Sequence, residues 1–357
     1  MAKLLLAGYF GAGNLGDDAI LKGFTTGIEG LGFQYQSLCG SPERLMRNMG
    51  IKGIGKTDFP AVKNAIAECD ALVFPGGSVF QDVTSIRSVA YYANLVKEAK
   101  KANKKVVMLA QGIGPLNRFM GKRLASGAFS AADMITVRDP SSVSALRSLG
   151  VKHTPKVTAD MAFLLPPVVA DESERAFGVA GMKTVGVSVR PHGKDKSKAV
   201  VQAFADLTRL LSQNNFVPVL MPMDAEEDVA IVDAIAKIHG GKVPDIRNLN
   251  TPAQFQQRVG RMEAVIAMRL HAGILATTMG IPPMMVSYDP KVTAFANVLG
   301  LPTPPSIDGA TGDRLFAQFQ SFMRDRDPHA KTVEKKREEL RTAAEGNIQA
   351  LRDCLGV

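Results

Sequence analysis

The segment Ala267-Met268-Arg269-Leu270-His271-Ala272-Gly273 sets a guanidinium and an imidazole where an apolar strand, Val265 to Met268, gives way to a small-residue helix. A helix beginning near His271 aims unsatisfied backbone N–H groups and the positive end of its dipole at the strand's carboxyl edge. A phosphate or carboxylate there meets donors and positive charge together. Further on, the apolar run Met284 to Tyr288 ends in Asp289-Pro290-Lys291 and delivers a second cation to the same edge if the two strands are parallel neighbours. Arg190, followed by Pro191 and His192, stands after a third strand, and Arg138 after a fourth. The plainer alternatives are that Arg269 pairs with a carboxylate, that His271 merely caps its helix and that Arg138 pairs with Asp139.

The elements that must position these residues are short apolar runs alternating with longer helical patterns. The runs are Lys3 to Gly8, Ala71 to Phe74, Lys105 to Ala110 and Met134 to Val137, then Thr184 to Val189, Phe216 to Met221, Ala264 to Met268 and Pro283 to Tyr288, with Phe33 to Leu38 as the second strand. Fully apolar strands between helices predict parallel sheets covered on both faces. The rhythm breaks from Leu165-Pro166-Pro167 to Gly181-Met182. This predicts two Rossmann-like doubly wound α/β domains, residues 1–167 and 182–328, facing across a cleft. A charged helix over 329–357 would pack back on the first domain. Ligands of open α/β sheets bind outside the carboxyl ends of the strands, and the unusual residues fall there: Gly11 to Asp18, Pro75-Gly76-Gly77-Ser78, Gln111-Gly112-Ile113-Gly114-Pro115 and Arg138-Asp139 in the first half.

The chain has 357 residues, 46% hydrophobic and 22% charged, which suits a folded protein of two domains. There is no apolar run of the ~20 residues a membrane span needs, and the N-terminus reads as a strand entry, so the protein is expected in the cytoplasm. Cys39, Cys69 and Cys354 lack metal or disulfide spacing and read as small hydrophobes. The net charge of +9 suits an anionic partner. With aromatics at 6% and no tryptophan, nucleic acid is the weakest candidate, while docking at the anionic inner face of a membrane is compatible with the charge.

Gly11-x-Gly13-x-x-Gly16 matches the dinucleotide fingerprint. Asp17 and Asp18 sit where a pyrophosphate would lie and would repel it, and the second strand ends at Cys39-Gly40 with no acid to hold a ribose. The expectation is therefore against a nucleotide cofactor. One of the two aspartates caps the helix, and the other could accept a proton from a hydroxyl.

Taken together, Gly8-Tyr9-Phe10-Gly11, Asn14-x-Gly16-Asp17-x-Ala19-Ile20, Pro75-Gly76-Gly77-Ser78, Gln111-Gly112-Ile113-Gly114-Pro115, Val137-Arg138-Asp139, Ala159-Asp160-Met161-Ala162-Phe163, Ser188-Val189-Arg190-Pro191, Met268-Arg269-Leu270-His271 and Tyr288-Asp289-Pro290-Lys291 resemble the polysaccharide pyruvyl transferase family in its CsaB-type branch, from about residue 4 to 300. The resemblance implies two Rossmann-like domains of GT-B type. It also implies transfer of a pyruvyl group from phosphoenolpyruvate onto a sugar as a cyclic ketal, with phosphate released. The implied acceptor is N-acetylmannosamine of a lipid-linked secondary cell-wall polymer precursor, and the finished polymer anchors surface-layer proteins. Arg138, Arg269, His271 and Lys291 fall on the family's donor and catalytic positions, with Arg190 added from its strand end. Asn14, Asp17, Gly76, Gly77 and Gln111 are expected on the acceptor side. A phosphate and a carboxylate together suit a site of several cations. In this reading His271 neutralises the donor and supplies a proton, Arg138 and Arg269 clamp the donor, Lys291 assists the leaving phosphate, and Asp17 serves the acceptor or acts as base. No metal is implied, since the cations replace it, and phosphoenolpyruvate is a co-substrate rather than a cofactor. The rivals are a GT-B glycosyltransferase using a nucleotide sugar and a non-catalytic carbohydrate-binding protein.

Overall fold

The computed structural model describes residues 1–83, 85–169, 183–193 and 197–357. The chain divides into two units, Met1–Leu165 with Glu339–Val357, and Pro166–Glu338. The break expected after Leu165 runs on through residues 170–182, which lie outside the described residues.

The first unit contains strands β1 (Lys3–Phe10), β2 (Gln34–Cys39), β3 (Gly53–Gly55), β4 (Ala71–Phe74), β5 (Lys105–Gln111), β6 (Met134–Val137) and β7 (Lys156–Val157). They lie parallel in the order β3-β2-β1-β4-β5-β6-β7. The central strands are buried end to end: Leu4 to Ala7, Ala71 to Phe74 and Val106 to Ala110 are sealed from water, as helices on both faces require. The chain winds outward from β1 in one direction and from β4 in the other. The loops after these two strands therefore flank the crevice where a doubly wound sheet binds its ligand.

Asn14 starts the helix Leu15–Gly27 by accepting hydrogen bonds from the Gly16 and Asp17 amides through its side chain. The helix packs on the short turn Met161–Leu164 so closely that a Cβ at Gly23 would lie 2.0 Å from the Met161 carbonyl oxygen. Gly23→Ala is therefore expected to cost at least about 2 kcal/mol, because backbone rather than a movable side chain blocks the methyl. Urea unfolding monitored by circular dichroism would show it, and an unchanged midpoint would mean the helix shifts freely.

The long helix Arg326–Leu355 begins in the second unit and ends in the first. Its Asn347, fully buried, accepts from the Thr136 and Thr158 hydroxyls and donates to the Ala159 and Ala344 carbonyls. All its hydrogen-bonding capacity is used, so it fixes the last turns of the chain against β6.

The second unit contains β8 (Lys183–Ser188), β9 (Phe216–Leu220), β10 (Ala264–Ala267) and β11 (Pro283–Met285), parallel in the order β11-β10-β8-β9. Pro218 and Pro283 stand on the two outer strands, where a missing N–H costs least. The helices Ser197–Gln213 and Gly312–Arg324 pack against each other through apolar faces. Here the winding reverses between β8 and β10. Both units are thus doubly wound and Rossmann-like, as the alternation of apolar runs predicts. No helix among the described residues is long and apolar enough to cross a membrane.

Candidate active site

Because β10 lies between β8 and β11, the residues after these three strands share one edge of the second unit's sheet. Arg190, after β8, donates from Nη1 to the Tyr288 hydroxyl at 2.9 Å, and its guanidinium carbon lies 4.7 Å from the ring centroid. Tyr288 follows β11, so this contact ties together the two strands that flank β10. Lys291 brings its Nζ to 5.8 Å from the same ring and 3.6 Å from an Asp289 carboxylate oxygen. Asp289 itself caps the helix Pro290–Leu299 by accepting from the Lys291 amide. The His192 ring stands edge-on to Tyr288 at 6.0 Å, and its Nε2 is 3.7 Å from Asp308. Two cations and an imidazole thus gather round one tyrosine, an arrangement that cation–π attraction favours.

His271 is half-buried, the second residue of the helix Leu270–Thr278, whose start has no side-chain cap. Its position at the end of the middle strand is the one expected. Arg269 behaves otherwise. Its Nε donates to Asp228 at 3.0 and 3.2 Å and its Nη2 to Glu227 at 3.0 Å and again to Asp228. Asp228 is fully buried and also accepts from the Met223 and Asp224 amides. Burial works against the charge on Arg269, yet the two carboxylates hold its pKa above the usual guanidinium range. Through Nε and Nη2, Arg269 thus anchors the loop before His271 to the loop after β9.

The first unit presents Asn14, Asp17, Gly76, Gly77, Gln111 and Arg138 after its own strands. Gly77, at φ +89°, takes a conformation closed to other residues without strain and receives a hydrogen bond from the Gly112 amide. A Cβ there would lie 3.5 Å from Asp17, so the Asp17 carboxylate and the β4 loop adjoin. Gln111 departs from expectation. Fully buried, it donates to the Phe74 and Leu109 carbonyls, and joins β4 to β5 from inside instead of facing a sugar. Arg138 likewise is bound at Asp160 (2.9 Å) and Ser78 (3.0 Å), with a side chain only 7% exposed. It belongs to the first unit, apart from Arg190, Arg269, His271 and Lys291 in sequence and in sheet, and it fastens the β4 loop to Asp160.

The paired aspartates part company. Asp18 is buried and accepts from the Gly11 amide at 2.8 Å, and burial pushes its pKa up to about 6. It is the structural member, which leaves Asp17, half-buried, as the one near the loops. A folded-state pKa above the unfolded value of 3.8 means that the Asp18 contribution is complete below pH 3.8 and is lost as pH rises through about 6. Asp18→Asn, keeping the oxygen that meets Gly11, is expected to stabilise the protein by ~2 kcal/mol at pH 8 and by nothing at pH 3.5. Melting curves across that range check it; a gap independent of pH would mean that Asp18 does not titrate as described.

Tyr288 and His192 join this group without being marked as site residues by the sequence pattern. Their signal was present in a tyrosine closing an apolar run and a histidine two residues past Arg190, but only the order of β8, β10 and β11 makes them one group.

Two doubly wound units, one with glycine loops after its first strands and one with a cationic edge, define an α/β fold of the GT-B type. The S. aureus MnaA structure with UDP has it: TM-score 0.68 at 11% identity, covering 100% of this chain and 97% of that one. So does Anabaena HepE in complex with UDP-glucose, TM-score 0.68 at 12% identity, covering 100% of both chains. The chain belongs to the polysaccharide pyruvyl transferase family, whose model matches residues 14–290. It is also 23% identical over 302 residues to the amylovoran biosynthesis protein AmsJ of Erwinia amylovora, covering 76% of this chain and 71% of that protein. It is thus a transferase, and its family's reaction is pyruvyl transfer to polysaccharide.

Proposed function

We propose that the donor is phosphoenolpyruvate and that the product is a cyclic ketal spanning two hydroxyls of a sugar, with inorganic phosphate released. The acceptor we propose is N-acetylmannosamine of a lipid-linked secondary cell-wall polymer precursor, the polymer later anchoring surface-layer proteins. The reaction runs in the cytoplasm without a metal or resident cofactor. One observation carries the reading: Arg190, His271 and Lys291 stand after three neighbouring strands, with Arg190 and Lys291 both against Tyr288. A ligand with both a phosphate and a carboxylate uses such a set better than a neutral sugar would.

In this mechanism His271, as imidazolium, gives its proton to the methylene carbon of the enol. A sugar hydroxyl attacks the cationic carbon and passes its proton to Asp17 on the acceptor side. Phosphate departs with the C–O bonding electrons, held by Lys291 and Arg190, and the second hydroxyl closes the ring and gives up its proton to the now neutral imidazole of His271. Asn14, Gly76 and Gly77 shape the acceptor loops, while Arg138, Arg269 and Gln111 hold them and the catalytic strand ends in place.

The test is incubation with phosphoenolpyruvate and a lipid-linked disaccharide containing N-acetylmannosamine, following phosphate release and product mass. Phosphate matched by the mass gain of one pyruvyl ketal is the expected result. Thermal protection by nucleotide sugars and not by phosphoenolpyruvate would overturn it in favour of a GT-B glycosyltransferase, and protection by neither would leave a carbohydrate-binding protein.

A further inference from the structure

Phe119 and Met120 are 77% and 51% exposed at the start of the helix Phe119–Ser130, and Val83, 57% exposed, lies in the loop beside them. Large apolar side chains so bare and so close are unusual on a soluble surface. They are also held in place. Asp82, buried to 2% exposure, accepts from the Asn117 amide at 2.7 Å and the Arg118 amide at 2.8 Å, and its own amide donates to the Pro115 carbonyl at 3.1 Å. Gly121 lies against the same carboxylate so closely that a Cβ would come within 2.3 Å of it. A buried carboxylate thus clamps the turn that presents Phe119, and the Val83 loop is fixed to it through the residue next door.

Around this apolar tip stand Arg118, Lys122 and Arg123, all exposed and, among the described residues, none in an ion pair. The carboxylate of Asp82 points inward to the backbone. The tip follows β5 and so projects from the carboxyl edge of the first unit's sheet, the edge that carries the glycine loops.

We propose that this tip docks the protein on an anionic bilayer. Phe119, Met120 and Val83 enter the headgroup boundary, and Arg118, Lys122 and Arg123 lie among lipid phosphates. Apolar groups ringed by unpaired cations match the chemistry of that boundary, whereas a protein-binding patch has no need of three unpaired like charges at its rim. The docking is distinct from the transfer reaction, since it needs neither donor nor acceptor. It would hold the first unit's ligand edge at a membrane surface whatever the acceptor proves to be.

Co-sedimentation of the full chain with vesicles tests this. Wild type should pellet with phosphatidylglycerol–phosphatidylcholine vesicles, release in high salt, and stay in solution with phosphatidylcholine alone. Phe119→Ser with Met120→Ser should weaken binding at least about tenfold, and Lys122→Glu with Arg123→Glu should remove the preference for anionic lipid. Phe59→Ser, at a phenylalanine 68% exposed beside the carboxylate of Asp58, should bind as wild type does. All five altered side chains are exposed, so melting temperatures should not move. Wild type that fails to pellet, or tip variants that pellet unchanged, would overturn the proposal. So would a wild-type oligomer that the Phe119→Ser, Met120→Ser pair dissociates, because the tip would then be an interface between copies of the chain.

Discussion

Asp228→Ala is expected to destabilise the second unit by about 3–5 kcal/mol, the largest stability loss of any single substitution considered for this chain. Its cause is the guanidinium left behind. Arg269 has a side chain 11% exposed, and among the described residues its Nε has no acceptor but Asp228. Removing the carboxylate leaves the buried guanidinium with the exposed Glu227 in place of two carboxylates, and it also strips the Met223 and Asp224 amides of their acceptor. A domain of this size should lose roughly 10 °C of melting temperature. The double change Asp228→Leu with Arg269→Met removes both buried charges together and should cost much less, since the dominant penalty is the buried guanidinium that has lost its buried partner. If the single variant melts within a degree or two of wild type, water reaches Arg269 and the pair is not the anchor described. The same experiment bears on catalysis: the double variant, if folded, should be slow, because the loop carrying His271 would have lost its tether while His271 itself is intact.

What the sequence made legible follows from where each feature gets its energy. The central strands are readable because helices cover both faces, which demands uninterrupted apolar residues, and β4 and β6 occupy the same residues the pattern marks. β3 and β7 escaped because they are edge strands of three and two residues, partly or wholly exposed, and carry no apolar run. Strand ends were readable as a location for chemistry, since their glycines and charged residues interrupt the rhythm. Which charges are spare was not readable. Arg269 meets Asp228 across 41 residues of sequence and Arg138 meets Asp160 across 22, and nothing in local spacing announces either pair. Gln111 looked like a ligand-facing residue in a glycine turn. Its direction is set by Ala110, whose φ of +46° breaks the β5–β6 ladder and turns the following side chain inward. Residue type and strand end thus locate a site, but three-dimensional pairing decides which members are committed to the fold.

That distinction separates the residues of the cationic edge in a measurable way. His271→Ala is expected to lower the rate of phosphate release from phosphoenolpyruvate by about 10²–10⁴, the range for loss of a general acid. It should leave the melting temperature nearly unchanged, because the side chain is half-buried at the first turn of its helix and carries no core. Protection by phosphoenolpyruvate against thermal unfolding should persist, since Arg190 and Lys291 still meet the anion. Lys291→Ala and Arg190→Ala should show the opposite balance, a raised KM for the donor with a smaller fall in kcat, as expected of groups that bind ground state and transition state alike. Arg190→Ala carries a further cost, because Tyr288 then loses the partner at 2.9 Å that ties β11 to β8. If His271→Ala keeps more than about a tenth of the wild-type rate, the imidazole only binds the donor. The proton must then reach the enol carbon from another acid at this edge, for which His192, edge-on to Tyr288, is the group to change next.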